Sequence, residues 1–291
     1  MDLPLLYSAA DESSTTAQNR FLWATRIRLF ALLGAAFFGL FTWKLAPSPV
    51  DWAGALAAFC FFLAVIIEAY LYQAKPERTW YEARATAESV KTLSWRYAVG
   101  GRPFDKTTLS DHAAAELFLS QLRGLFDVIK DLDLVPPTSS GEQISQGMRD
   151  TRAMSLGERK AAYEGGRVED QQKWYQAKAA WNRGRGARWA LAMLSVEAVG
   201  VLFGILKAVG TIEGDLLGFA GAIGAAITAW LQTKQHRALA TAYTVTALEL
   251  ASVRSGIALV TDEQGWAEFV SDAEEAFSRE HTLWKASRTT T

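Results

Sequence analysis

Residues 53–67 read Ala53-Gly54-Ala55-Leu56-Ala57-Ala58-Phe59-Cys60-Phe61-Phe62-Leu63-Ala64-Val65-Ile66-Ile67. No position in this run is charged, and a helix built from it has no polar face. A core helix of a small soluble protein keeps a polar stripe for water. Extended from Trp52 to Tyr72, the run reaches the length of about 20 residues that a bilayer requires. Three more segments share its character, at about 29–46, 189–206 and 216–231, the last being short and rich in Gly and Ala. Four buried helices of a soluble bundle would be the competing assignment, and residues 53–67 argue against it.

The flanks order these spans. Arg20, Arg26 and Arg28 precede the first; Lys75, Arg78 and Arg84 follow the second. Arg183, Arg185 and Arg188 precede the third; Lys234 and Arg237 follow the fourth. The connecting loops hold only Lys44 and Lys207 as bases, beside Asp51, Glu213 and Asp215. By the positive-inside rule the spans form two hairpins with short outer loops and both termini in the cytoplasm, a multi-pass inner-membrane layout. Trp23, Trp43, Trp52, Tyr70, Tyr72, Trp189 and Trp230 sit at span ends, where aromatic rings favour the interface.

Composition agrees with a mixture of membrane and aqueous helices: mean hydropathy is +0.03. Net charge is −1, from 30 basic and 31 acidic side chains, so no basic field points to nucleic acid. The single cysteine, Cys60, excludes an internal disulfide and a thiolate zinc site. His112, His236 and His281 have no metal-ligand spacing, and Arg183-Gly184-Arg185-Gly186 lacks the spacing of a phosphate loop. No catalytic constellation, cofactor or metal is expected, and the chain reads as a non-enzyme.

Outside the spans the pattern is amphipathic helix. Trp80, Ala83, Ala87, Val90, Ser94 and Tyr97 alternate at three and four residues, a heptad seam ended by Gly100-Gly101 and Pro103. Phe118, Leu122, Leu125, Ile129 and Leu132 form one stripe of a second helix. Pro136-Pro137 and Ser139-Ser140-Gly141 suit a linker. Ser155 and Glu158 have capping-box spacing, and further helices are expected from about 168, 235 and 262. No alternating strand stands out. The predicted fold is therefore an all-α membrane protein: two transmembrane hairpins, four spans, with long cytoplasmic amphipathic helices. Its organisation would be a disordered tail at 1–15, a first hairpin unit at 16–134, a linker with short helices at 135–164, and a second hairpin unit at 165–291. A weak internal repeat supports two units. Gln73-x-Lys75-x-x-Arg78 recurs as Gln232-x-Lys234-x-x-Arg237, at an offset of 159 that also maps Arg26 onto Arg185.

Two acids fall inside the spans. Glu197 lies near mid-membrane, where a carboxylate costs about 3 kcal/mol on insertion scales and needs a partner or water. Protonated, it would tie helices together within one protomer; ionised, it would line a water-filled path between protomers. Glu68 lies about a turn from the end of the second span, close enough to reach the interface beside Arg78 or Lys75. Gly200 and Gly204 share the face of Glu197, and the fourth span offers Gly218 and Gly221 on a small-residue stripe suited to close packing.

The run Ala87-Glu88-Ser89-Val90-Lys91-Thr92-Leu93-Ser94-Trp95-Arg96-Tyr97, with Gly100-Gly101-x-Pro103-Phe104, resembles the post-hairpin signature of SLATT domains. Arg167-Val168-Glu169-Asp170-Gln171-Gln172-Lys173-Trp174-Tyr175, Thr228-x-Trp230-Leu231-Gln232-Thr233-Lys234 and Ser278-Arg279-Glu280-His281-x-x-Trp284 resemble the same family. The likeness covers nearly the whole chain after residue 15. It implies a two-span bacterial effector module, used in tandem, that forms pores in conflict and antiphage systems. Partners of that family include nucleotide-second-messenger synthetases and nucleotide-sensing SLOG domains. Two functions follow as expectations. One is an oligomeric membrane-permeabilising effector triggered by a cytoplasmic signal. The other is a non-conducting membrane scaffold that recruits partners through its cytoplasmic helices. Expected site residues are Glu197 and Glu68 in the membrane, Gly200, Gly204, Gly218 and Gly221 at helix packing, and Arg26, Arg28, Arg185, Arg188 and Lys234 at the interface. Expected partners are the lipid bilayer, further copies of the chain and a nucleotide-related protein.

Overall fold

The computed structural model describes the chain apart from residues 48, 131, 133, 137–140, 213, 290 and 291, with backbone alone at 128 and 278–289. Among the described residues it is helical, with one isolated antiparallel bridge between Lys44 and Asp51. The helices are α1 (Leu5–Phe38), α2 (Trp52–Ala74), α3 (Pro76–Val99), α4 (Asp111–Ile129), α5 (Gln146–Ala153) and α6 (Leu156–Tyr163). A π-helical stretch, Glu164–Glu169, leads into α7 (Asp170–Ala208), followed by α8 (Leu216–Lys234), α9 (His236–Ile257) and α10 (Glu263–Thr289). Four helical segments carry a stretch long and apolar enough to cross a membrane, and only 22%, 6%, 0% and 11% of those stretches are buried. Hydrocarbon left that exposed is stable against lipid and not against water. The expected all-α membrane fold is what the structure contains.

The chain divides into two compact units, one of residues 1–18, 76–178 and 242–291, the other of residues 19–75 and 179–241. These are not successive halves. Each half of the sequence gives its spans to the second unit and its amphipathic helices to the first. The physical reason is solvent: apolar segments are stable together in lipid, and amphipathic ones bury their stripes on each other.

In the first unit α3 is enclosed by its neighbours. All six seam residues, Trp80, Ala83, Ala87, Val90, Ser94 and Tyr97, are buried. Val90, Leu93 and Tyr97 join a cluster with Phe104, Phe118, Leu122, Ile129 and Met148. Trp95 and Val99, on its other side, join Tyr163, Leu250, Trp266 and Val270. The expected stripe of α4 is thus buried at Phe118, Leu122 and Ile129, with Leu125 and Leu132 packed at the edge. Helix ends are chemically marked. Ser110, Ser145 and Ser155 cap α4, α5 and α6, the last with the full Ser155–Glu158 capping box. Gly100 ends α3 at φ +79°, a backbone region that side chains resist.

Residues 1–15 are not the disordered tail suggested by their polar Asp-Glu-Ser-Ser-Thr-Thr run. α1 starts at Leu5, and Leu6, Ala10, Ser13 and Ser14 are buried. The Ser13 hydroxyl donates to the Ala9 carbonyl at 2.7 Å and accepts the Val135 backbone N–H at 2.9 Å. A polar run can therefore be a packed helix face when its small hydroxyls satisfy themselves on the preceding turn. The expected linker at Pro136–Gly141 and the loop acid Glu213 lie largely outside the described residues.

In the second unit the first span ends at Phe38, short of the expected residue 46, and the third is the far part of the continuous α7. Each hairpin loop is closed by an aspartate that caps the returning helix. The Asp51 carboxylate accepts the backbone N–H of Trp43 at 2.8 Å and of Ala53 at 3.1 Å. The Asp215 carboxylate accepts the Gly218 N–H at 3.3 Å and the Lys207 ammonium at 3.1 Å. These bonds hold both carboxyls below their ordinary pKa: the Trp43 N–H is the chief cause at Asp51, and the Lys207 hydrogen bond at Asp215. α2 and α8 both end on a left-handed non-glycine residue, Lys75 at φ 42° and Gln235 at φ 48°, and a new helix begins at the next position. Their N–H groups bond to Leu71 and Leu231 carbonyls. The repeat is thus structural, in register at 160 residues rather than the 159 of the sequence motif.

Candidate functional site

The polar groups of the second unit fall into two sets. The first set is the intramembrane acids. Glu68 of α2 forms an ion pair with Arg28 of α1, across the first hairpin. Its partner is therefore Arg28, expected as a flanking base, rather than Arg78 or Lys75. Glu197 of α7 is exposed, and so are Leu194 and Val201, three residues before it and four after it on the same face. It makes no hydrogen bond or ion pair among the described residues, so within one chain it does not tie helices together.

The glycines behave unevenly. A Cβ built on Gly200 would stand 3.8 Å from Ala220, and one on Gly204 would stand 4.0 Å from Leu217. These two share the α7–α8 contact as expected. Gly221 meets nothing within 4 Å, and the atoms nearest a Cβ on Gly218 would be those of Asp215, its own helix cap. The α8 surface turned to α7 is instead Leu217, Ala220 and Gly224, the last with Met193 at 3.7 Å from a Cβ position. A three-and-four spacing names two rival stripes on α8, and the pattern alone selects the wrong one.

The second set is cations held over tryptophan rings. The Arg26 guanidinium is 5.0 Å from the Trp230 ring and 5.2 Å from that of Trp23. Lys234 is 5.8 Å from the same Trp230 ring, and Arg185 is 5.3 Å from Trp181. Trp181 packs edge-on against His236, whose Nδ1 lies 2.8 Å from Asn182 Oδ1. Arg26 and Arg185, aligned by the sequence repeat, are brought into one cluster. Arg188 is exposed and outside it.

The first unit holds a buried ionic network that sequence reasoning missed. Arg167 donates two bonds to Glu274, at 2.8 and 2.6 Å, and both side chains are buried, at 2% and 0% exposure. Tyr163 donates to Glu274 at 3.0 Å and Thr92 at 2.9 Å. Burial alone would lower the Arg167 pKa, but the Glu274 charge and hydrogen bonds more than reverse this and keep it cationic. Tyr163 is pushed well above its usual value, by burial first and then by Glu274. Two more buried arginines cap the end of α3. Arg152 donates to the carbonyls of Tyr97 and Phe104, at 3.0 and 2.8 Å, and Arg159 donates to that of Val99 at 2.7 Å. The spacing of Trp266, Val270, Ala273 and Phe277 puts Glu274 rather than Glu275 on the apolar face of α10, and Gly165-Gly166 before Arg167 hints at close approach, a Cβ on Gly166 standing 2.9 Å from Trp95. Among the described residues no group of three His, Cys, Asp or Glu side chains is placed to hold a metal.

Comparison with known proteins gives two adjacent matches. Residues 4–160 match the family model described as SMODS and SLOG-associating 2TM effector domain 3. Residues 163–284 match the model of SMODS and SLOG-associating 2TM effector domain 1. No curated protein and no solved structure matches the chain.

Proposed function

Because this chain belongs to the SMODS and SLOG-associating 2TM effector family through both of its halves, we propose that it is an oligomeric effector that permeabilises the membrane of a bacterium in a conflict or antiphage response. The observation that carries this reading is Glu197. A carboxylate in mid-span, exposed on an apolar helix and paired with nothing among the described residues, costs about 3 kcal/mol in hydrocarbon. Facing a lumen built from several copies, it keeps water and its charge, and it draws cations toward the path. The trigger in this reading is a cytoplasmic signal from a nucleotide-related partner, which the SMODS and SLOG association in the family description supports. The basic flanks favour both termini and the amphipathic helices in the cytoplasm and the two hairpin loops outside. The chemistry is conduction, with no bond made or broken.

Ion flux from liposomes holding the purified protein tests this. Wild type should release cations faster than anions. Glu197→Gln keeps size and hydrogen bonding while removing the charge, so it should lower cation preference with assembly intact. Liposomes that stay sealed in the presence of assembled wild-type protein would move the assignment to a non-conducting scaffold.

A further inference from the structure

A cavity of about 420 Å³ lies wholly within the membrane unit, beside the basic residues that flank the spans of α1, α7 and α8. Its lining changes character along the helices. Arg26, Arg185 and Lys234 stand at one end, with Trp181, Trp189 and Trp230 beside them. Leu33 lies seven residues beyond Arg26, and Ile223 eleven residues before Lys234, about 10 and 16 Å along their helices. The cavity is therefore cationic and aromatic at one level and hydrocarbon at the next. The Arg26 and Arg185 guanidiniums lie over tryptophan rings, and among the described residues neither is paired with a carboxylate. Their N–H edges remain available for an anion.

From this we infer that the cavity binds an anionic phospholipid, with its phosphate among Arg26, Arg185 and Lys234 and an acyl chain along Leu33, Ile223 and Ile227. Basic recesses between spans are a recurrent way of holding acidic headgroups. The tryptophans suit the interfacial level that a headgroup occupies. The cations repel the ammonium of a zwitterionic headgroup, so charge selects the lipid. A free phosphate would satisfy the arginines and leave the apolar slot unused. The inference rests on the membrane placement of the four spans and not on conduction; a lipid-binding result and a flux result can each fail alone.

The test uses the full chain in detergent, titrated with phosphatidylglycerol, phosphatidylcholine or inorganic phosphate, and read by native mass spectrometry and by thermal shift. Wild type should retain phosphatidylglycerol far better than phosphatidylcholine, with inorganic phosphate giving no comparable stabilisation. Arg26→Gln/Arg185→Gln should weaken phosphatidylglycerol about 25-fold, from about fivefold per basic residue, and leave phosphatidylcholine unchanged. Ile227→Trp, which crowds the slot without touching charge, should weaken phosphatidylglycerol too. Equal retention of the two lipids by wild type would overturn the inference without any variant. Full stabilisation by inorganic phosphate would overturn the lipid in favour of a small anion.

Discussion

Glu274 and Arg167 illustrate at the scale of single residues how much of this fold depends on paired charge. A buried guanidinium left without its carboxylate is costly, while replacing both partners by apolar groups is often neutral. Glu274→Gln should lower stability by about 3–5 kcal/mol, and Arg167→Met/Glu274→Met should recover most of that loss. Denaturant unfolding in detergent measures both, and a double variant no better than the single one would show that the pair has no such coupling. The pair was not legible in the sequence. Its members are 107 positions apart, and the spacing of Trp266, Val270, Ala273 and Phe277 puts Glu274 on an inward face of α10 without naming its partner. Glu197 was legible because hydrocarbon on all sides makes any acid conspicuous; its lack of a partner among the described residues was not.

Among elements, amphipathic helices were the most readable. Every seam residue of α3 is buried because the three-and-four spacing leaves one face for neighbours, and the Ser155–Glu158 box starts α6 where its spacing predicts. α8 was less readable: small residues occur on more than one of its faces, and only contact with Met193 selects Gly224. Gly224→Leu should therefore disrupt the α7–α8 pair more than Gly221→Leu. The comparison is the yield of folded protein in detergent, and equal yields would count against the assigned face. The left-handed ends give another expectation. Lys75→Gly and Gln235→Gly remove a steric cost of about 1 kcal/mol, so each should be neutral or stabilising, whereas Gln235→Val should be destabilising by at least as much. Thermal unfolding of the three variants decides it.

For the whole molecule the four spans were legible and the tail was not. Length and hydropathy announce a span, but the packing of residues 5–18 depends on partners far along the chain, such as Val135 for Ser13. In the same way the two units interleave halves of the sequence, which no local pattern records. Topology is testable at this scale. In a Cys60→Ala background, Thr42→Cys and Thr211→Cys should react with an impermeant thiol reagent applied to sealed cells, and Asp150→Cys should not. Labelling at 150 with silence at 42 would invert the proposed orientation.

The helix breaks at Lys75 and Gln235 have a mechanical consequence. α1 and α7 each run unbroken through 34 and 39 residues, and an unbroken α-helix resists twisting, so a turn applied at one end arrives at the other. α2 and α8 stop at a single left-handed residue before the next helix starts, and such a link bends without carrying torque. Continuous hydrogen-bonded helix therefore joins the N-terminal half of α7 to Glu197, whereas α2 and α8 are each separated from the next helix by a single residue.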